Sequence, residues 1–174
     1  MGLTRGRLRG MQRRGEAERV GRGLYRRAGE VTELDTVATV CARVPGGIVC
    51  LLSALLIHDI GTQLPAEVWI ALDRRARKPR LEALPVRIVR FSGPMLRYGI
   101  ESRRVQGVAV SITSPARTIV DCFRYRNKIG LDVALEALKD ALRRRRATVS
   151  EITRAAQVCR VSTVVQPYLE ATLG

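Results

Sequence analysis

Histidine is nearly missing from this chain: His58 is the single one in 174 residues. The four cysteines, Cys41, Cys50, Cys122 and Cys159, form no Cys-x-x-Cys pair. A zinc site needs clustered thiolate or imidazole ligands, so none is expected. Each cysteine sits in an apolar context, which predicts reduced core thiols in a cytoplasmic protein. Aromatic residues are only 4%, too few to support recognition of single strands by base stacking. The longest apolar stretch, residues 48–57, is too short to span a bilayer, so no membrane partner is expected. The arginine-rich N-terminus has no apolar run behind it, and no signal peptide is expected. There is no Gly-x-Ser-x-Gly elbow, no P-loop and no heptad seam. The expectation is a protein that is not an enzyme and uses no cofactor.

What the chain does have is positive charge. It carries 31 Lys and Arg against 16 Asp and Glu, a formal net charge of +15. An excess of this size points to a polyanionic partner, because each cation that meets a phosphate releases a condensed counterion. The first 30 residues hold nine arginines and three acids, a net +6. Hydrophobic residues make up 46%, enough for a packed core in one domain plus a small appendage.

Residues 3–14 read as a short basic helix, with Leu8 and Met11 sharing one side. Thr4 is the expected N-cap and Gly15 the stop. Gly6 and Gly10 weaken that helix by about 1 kcal/mol each relative to alanine. Two short β-prone runs, 16–20 and 24–26, flank Gly-Arg-Gly at 21–23, a hairpin signal. Thr32 with Asp35 predicts a capped helix over 32–44, ended by Pro45-Gly46-Gly47. Residues 48–59 read as one buried helix. Strands are predicted at 67–72, 86–91, 100–105 and 108–113, a sheet of about four. Between the first two lies a basic loop, 74–80. From Ser114-Pro115 onward the pattern is helical. Apolar stripes run through Ile119 and Phe123, then Leu131 to Leu142. Thr148 with Glu151 predicts a capping box, and a last helix over 161–173 is opened or kinked at Pro167.

Two residue sets are candidates for function. The first is Thr4, Arg5, Arg7, Arg9, Arg13 and Arg14 on the basic helix, with Arg19, Arg22 and Arg26 on the hairpin. Arginines on a helix followed by a hairpin suit phosphate contact and guanine readout. The plainer alternative is a solvated basic arm. The second is Arg117, Asp121, Arg124 and Lys128, spaced to share a helix face opposite Ile119, Val120 and Phe123, followed by Tyr125, Arg126 and Asn127. That face suits a protein partner, nucleic acid or phosphate. Its plainer alternative is a surface Arg117–Asp121 ion pair worth a few tenths of a kcal/mol. Arg143 to Arg146 reads as a solvated helix end or a further phosphate track. The 74–80 loop is equally open to a solvated or a nucleic-acid role. His58 reads as a core or helix-end histidine, and Trp69 as packed in a strand.

The stretch 114–142, with its Ser-Pro-Ala-x-Thr and Asp-Cys-Phe-x-Tyr-Arg-Asn order, resembles the C-terminal domain of AbiEi-type antitoxins. These are the transcription-regulating half of type IV toxin–antitoxin, or abortive infection, systems. The order Gly-Glu-Ala-Glu-Arg-Val-Gly-Arg-Gly-Leu-Tyr-Arg at 15–26 is similar to the wing of the family's N-terminal winged helix-turn-helix. The family places two more helices before the recognition helix; this chain starts later, which implies a misplaced start site or a natural remnant. The resemblance implies an α+β fold. Residues 1–30 would be a partial winged helix-turn-helix, recognition helix plus wing. Residues 31–174 would be the antitoxin domain, with a small mixed sheet and a helical C-terminal half. It further implies an autorepressor that binds double-stranded DNA at inverted repeats in its own promoter. The C-terminal domain would oppose a cognate nucleotidyltransferase toxin, with direct contact not required. That domain has been compared with nucleotidyltransferase folds, but Ser92-Gly93 is followed by proline and no Asp-x-Asp, so the chemistry is not expected. The runner-up is a protein- or RNA-interaction module that has lost specific DNA binding and docks through 114–128. A third reading is a degenerate nucleotide-binding domain.

Overall fold

The computed structural model describes residues 5–21, 24–29, 31–81 and 83–174. Helix α1 (Arg5–Arg13) leads into the antiparallel strands β1 (Ala17–Gly21) and β2 (Leu24–Arg27). Gly15 ends the helix at φ +69, and the Glu16 N–H donates to Met11 O at 2.8 Å. The Ala28 N–H then donates to Glu16 O, so the hairpin closes directly under the helix end. Thr4, Arg22 and Gly23 lie outside the described residues.

The rest is a five-stranded mixed sheet with helices on both faces. Helix α2 (Glu33–Arg43) carries the expected capping box: the Thr32 hydroxyl accepts from Asp35 N–H while the Asp35 carboxylate accepts from Thr32 N–H. Strands β3 (Ile48–Val49), β4 (Val68–Asp73), β5 (Val86–Phe91), β6 (Ile100–Val105) and β7 (Val108–Thr113) lie in the order β5-β4-β3-β7-β6. β4 and β5 are parallel, as are β3 and β7; β3 runs antiparallel to β4, and β6 to β7.

Alternation on the strands splits the core in two. Val68, Ile70 and Leu72 of β4 join Val110 and Ile112 of β7 and Val37 and Val40 of α2 on one face. Trp69 and Ala71 face the other way, with Val89 and Phe91 of β5, onto the C-terminal helices. β4 is buried on both faces, which is why it reads as a continuous apolar run. The C-terminal helices are α4 (Pro115–Arg124), the single turn α5 (Arg126–Ile129), α6 (Leu131–Arg143), α7 (Val149–Val158) and α8 (Ser162–Leu173). Pro167 lies inside α8 without ending it.

The reading of 48–59 as one helix is corrected. Residues 48–49 are β3, the central strand of the sheet, and only Leu51–His58 form helix α3. Cys50 is extended and Leu51 takes φ +49, turning the chain sharply from strand to helix. The sheet therefore has five strands rather than four. Ser53, the polar residue in this apolar run, accepts a hydrogen bond from Trp69 N–H at 2.9 Å.

Candidate functional site

The polar stripe of α4 is not on the surface. Ala116 through Phe123 are all buried, and the side chains of Arg117 and Asp121 are 0% exposed. Helix α4 lies between the sheet and the surrounding helices, so both its apolar and its polar sides meet protein. Arg117 Nε donates to both Asp121 oxygens, at 2.9 and 3.0 Å. Its Nη1 donates to Tyr98 O at 2.6 Å, and its guanidinium stacks 4.9 Å from the Phe91 ring centre. Arg117 Nη2 is buried without a hydrogen-bond partner. Burial raises the Asp121 carboxyl to about 6, against the pull of Arg117. The expectation of an exposed partner face including Arg117 and Asp121 is thus overturned. The missing signal was tertiary: Phe91 and Tyr98 come from other segments and close over a stripe that helical periodicity marks as solvent-facing.

The approach is made possible by Gly99, at φ +64. A Cβ there would lie 2.9 Å from Arg117 Cβ and 3.1 Å from Ser114 Oγ. Ser114 caps α4 by accepting from Arg117 N–H, and its own N–H donates to Gly99 O at 2.7 Å. His58, the last residue of α3, is buried, and its Nε2 donates to Thr113 O at 2.6 Å. Burial lowers its pKa, so it is a neutral core histidine. The Thr113 and Thr118 hydroxyls share a hydrogen bond of 2.7 Å. The region is a buried polar lock between sheet and helix.

Other members of that set lie outside the lock. Arg124, Asn127 and Lys128 are exposed. Arg124 Nη1 donates to Cys159 O, the Arg126 guanidinium to Phe123 O, and Lys128 Nζ lies 5.8 Å from the half-buried Tyr125 ring. These contacts finish helix ends and leave a smaller face than spacing suggested. The arginines at 143–146 are more than a solvated end. Arg144 and Arg146 both pair with the Asp59 carboxylate and Arg143 pairs with Asp140, so α6 is tied to the exit of α3. The Arg144 hydrogen bonds hold the Asp59 carboxyl below its usual range.

The N-terminal set is the exposed one. Arg7, Arg9 and Arg13 of α1 are exposed, while Leu8 and Met11 are half-buried. Arg14 forms a fork with Glu16, at 2.7 and 3.1 Å, so its charge is already answered within the chain. Of Arg5, Arg19 and Arg26 the backbone is described: Arg5 opens α1, Arg19 stands opposite Tyr25, and Arg26 opposite Glu18. The side chains of these three lie outside the described set.

All four cysteines are free, three of them buried. Among the described residues, no group of three metal-ligating side chains gathers, and no helix is long and apolar enough to cross a membrane. Comparison of the chain with protein-family models and with curated proteins returns no match.

Proposed function

We propose that this chain is an AbiEi-like antitoxin: a DNA-binding autorepressor of a type IV toxin–antitoxin system. The observation that carries the DNA half is the sequence of α1, a tight turn and an antiparallel hairpin, with Arg7, Arg9 and Arg13 exposed along the helix. A helix followed by a wing is the second half of a winged helix-turn-helix, where the helix takes the major groove and the wing takes phosphate. The net charge of +15 supports a polyanionic partner. The C-terminal domain would oppose a nucleotidyltransferase toxin, without requiring contact with it. Support for that half is the resemblance of the 114–142 stretch to the family's C-terminal domain.

The competing reading, a module that docks on protein or RNA through 114–128, loses support from the same burial. With Arg117 and Asp121 enclosed, the face retains Arg124, Asn127 and Lys128 as its exposed polar members. The two readings separate by alanine substitution. Replacing Arg7, Arg9 and Arg13 together is expected to make log K against log salt shallower by about 2 to 3 on upstream duplex DNA. An unchanged slope, with binding lost instead on replacing Arg124 and Lys128, would favour the module.

A further inference from the structure

β4 and β5 are parallel neighbours whose ladder ends at the pair Asp73 and Phe91. Both strands therefore leave the sheet at the same end. Between them opens a cleft of about 500 Å³, lined by Asp73, Arg74 and Arg75 from one exit and Ser92, Gly93 and Arg97 from the other.

Both walls are held before any ligand arrives. The Asp73 carboxylate accepts from Arg75 N–H at 2.8 Å, and Arg74 N–H donates to Phe91 O at 2.9 Å. Arg90 Nη1 donates to Asp73 O at 2.9 Å and to Ala76 O at 2.8 Å, clamping the arginine turn from below. Across the cleft, Met95 N–H donates to Ser92 O, and Arg97 and Tyr98 N–H both donate to Pro94 O. The result is a fixed turn on each side, with Arg74, Arg75 and Arg97 exposed and Asp73 the one acid in the lining. The apolar lining is limited to Pro94 and Leu96, with no aromatic ring on which a base would stack.

We propose that this cleft binds the phosphodiester backbone of duplex nucleic acid, contacting phosphates through Arg74, Arg75 and Arg97 without reading bases. The three guanidiniums supply charge-assisted donors suited to phosphate oxygens. The remaining cations of the same loop, Arg77, Lys78 and Arg80, extend the positive field along the chain. This site is separate from α1 and the hairpin, and it stands whether or not those elements choose a sequence. Together, the two would give one protein a reading element and a clamp on the backbone.

The test uses the full chain, a fluorescent duplex of scrambled sequence and a salt series. Changing Arg74, Arg75 and Arg97 together to glutamine is expected to make log K against log salt shallower by about 2 to 3. Lysine at the same positions is expected to restore the slope, because Lys keeps the point charge. An equal charge reduction by glutamine at Arg145, Arg154 and Arg160 is expected to change the slope by less than about 1. Loss of the same size in both sets, or an unchanged slope in the cleft variant, overturns the proposal. So does competition by a nucleoside triphosphate that the cleft variant abolishes while its duplex slope stays the same: the cleft would then take a mononucleotide. The effect is expected to persist when Arg7, Arg9 and Arg13 are alanine, which separates failure of this site from failure of α1.

Discussion

Replacing Arg117 by methionine removes the cation from the centre of the domain while keeping most of the side chain's length. Four consequences can be read from the geometry. The Asp121 carboxylate loses the donor that bridges both its oxygens. Tyr98 O loses the Nη1 hydrogen bond. The Phe91 ring loses its stacked guanidinium. The carboxyl stays buried without its counter-charge. A charged hydrogen bond contributes about 1.5–3 kcal/mol and an orphaned carbonyl costs about 1–3 kcal/mol; the stacking adds up to about 2 kcal/mol when desolvated. These contributions overlap, and breaking one partner of a buried pair costs about 3–5 kcal/mol in practice. The expected outcome is a loss of that size, read as a lower urea midpoint at unchanged slope. The double variant Arg117→Met with Asp121→Leu removes both charges and is expected to recover most of it. A loss under about 1 kcal/mol in the single variant would match an exposed pair, and would refute the enclosed reading of α4.

Three further outcomes follow from the same region and from the thiols. Burial raises the Asp121 carboxyl from 3.8 to about 6, so the folded chain holds that proton more tightly than the unfolded chain does. Its stabilising contribution is complete below about pH 4 and is lost as pH rises through 6, on the order of 3 kcal/mol in all; Asp121→Asn is expected to flatten the stability profile across that window, and a profile parallel to the parent would contradict this. Gly99→Ala meets both a left-handed φ and the Arg117 Cβ, whereas Gly107→Ala at φ +79 meets open space. The first is therefore expected to lower the melting temperature clearly more than the second, and equal shifts would show that backbone strain alone is at work. Burial pushes the Cys41 thiol up to about 12 and the Cys50 and Cys122 thiols well up, so a maleimide at pH 7 is expected to label the native chain slowly and the urea-unfolded chain at four thiols; rapid native labelling of Cys50 or Cys122 would count against their enclosure.

Much of the fold was legible where the signal is local. The pairs Thr32 with Asp35 and Thr148 with Glu151 announced two helix starts because a capping box is complete within four residues. Gly21 to Gly23 marked the hairpin for the same reason. β3 was not legible: two residues in an apolar run have no period, and only pairing with β4 and β7 makes them a strand. The candidate site divided along the same line. Arg7, Arg9 and Arg13 were legible as candidates for phosphate contact from their spacing on a basic helix, and their side chains are exposed. Arg117 and Asp121 obey the helical period of a surface face, but Phe91 and Tyr98 cover them from elsewhere in the chain. The cleft at the β4 and β5 exits left only the basic composition of 74–80 and an isolated Ser92-Gly93 as traces. Its shape depends on the parallel register that brings Asp73 beside Phe91.

In the proposed function, this chain reads DNA through α1 and the hairpin. The most direct test of that reading is binding of the full chain to the DNA immediately upstream of its own reading frame, against a scrambled duplex of equal length, from low to moderate salt. The expected result is a preference for the upstream duplex that survives moderate salt and disappears when Arg7, Arg9 and Arg13 become alanine. Equal and salt-fragile binding to both duplexes would contradict it, leaving the arginines as a source of polyanion attraction alone.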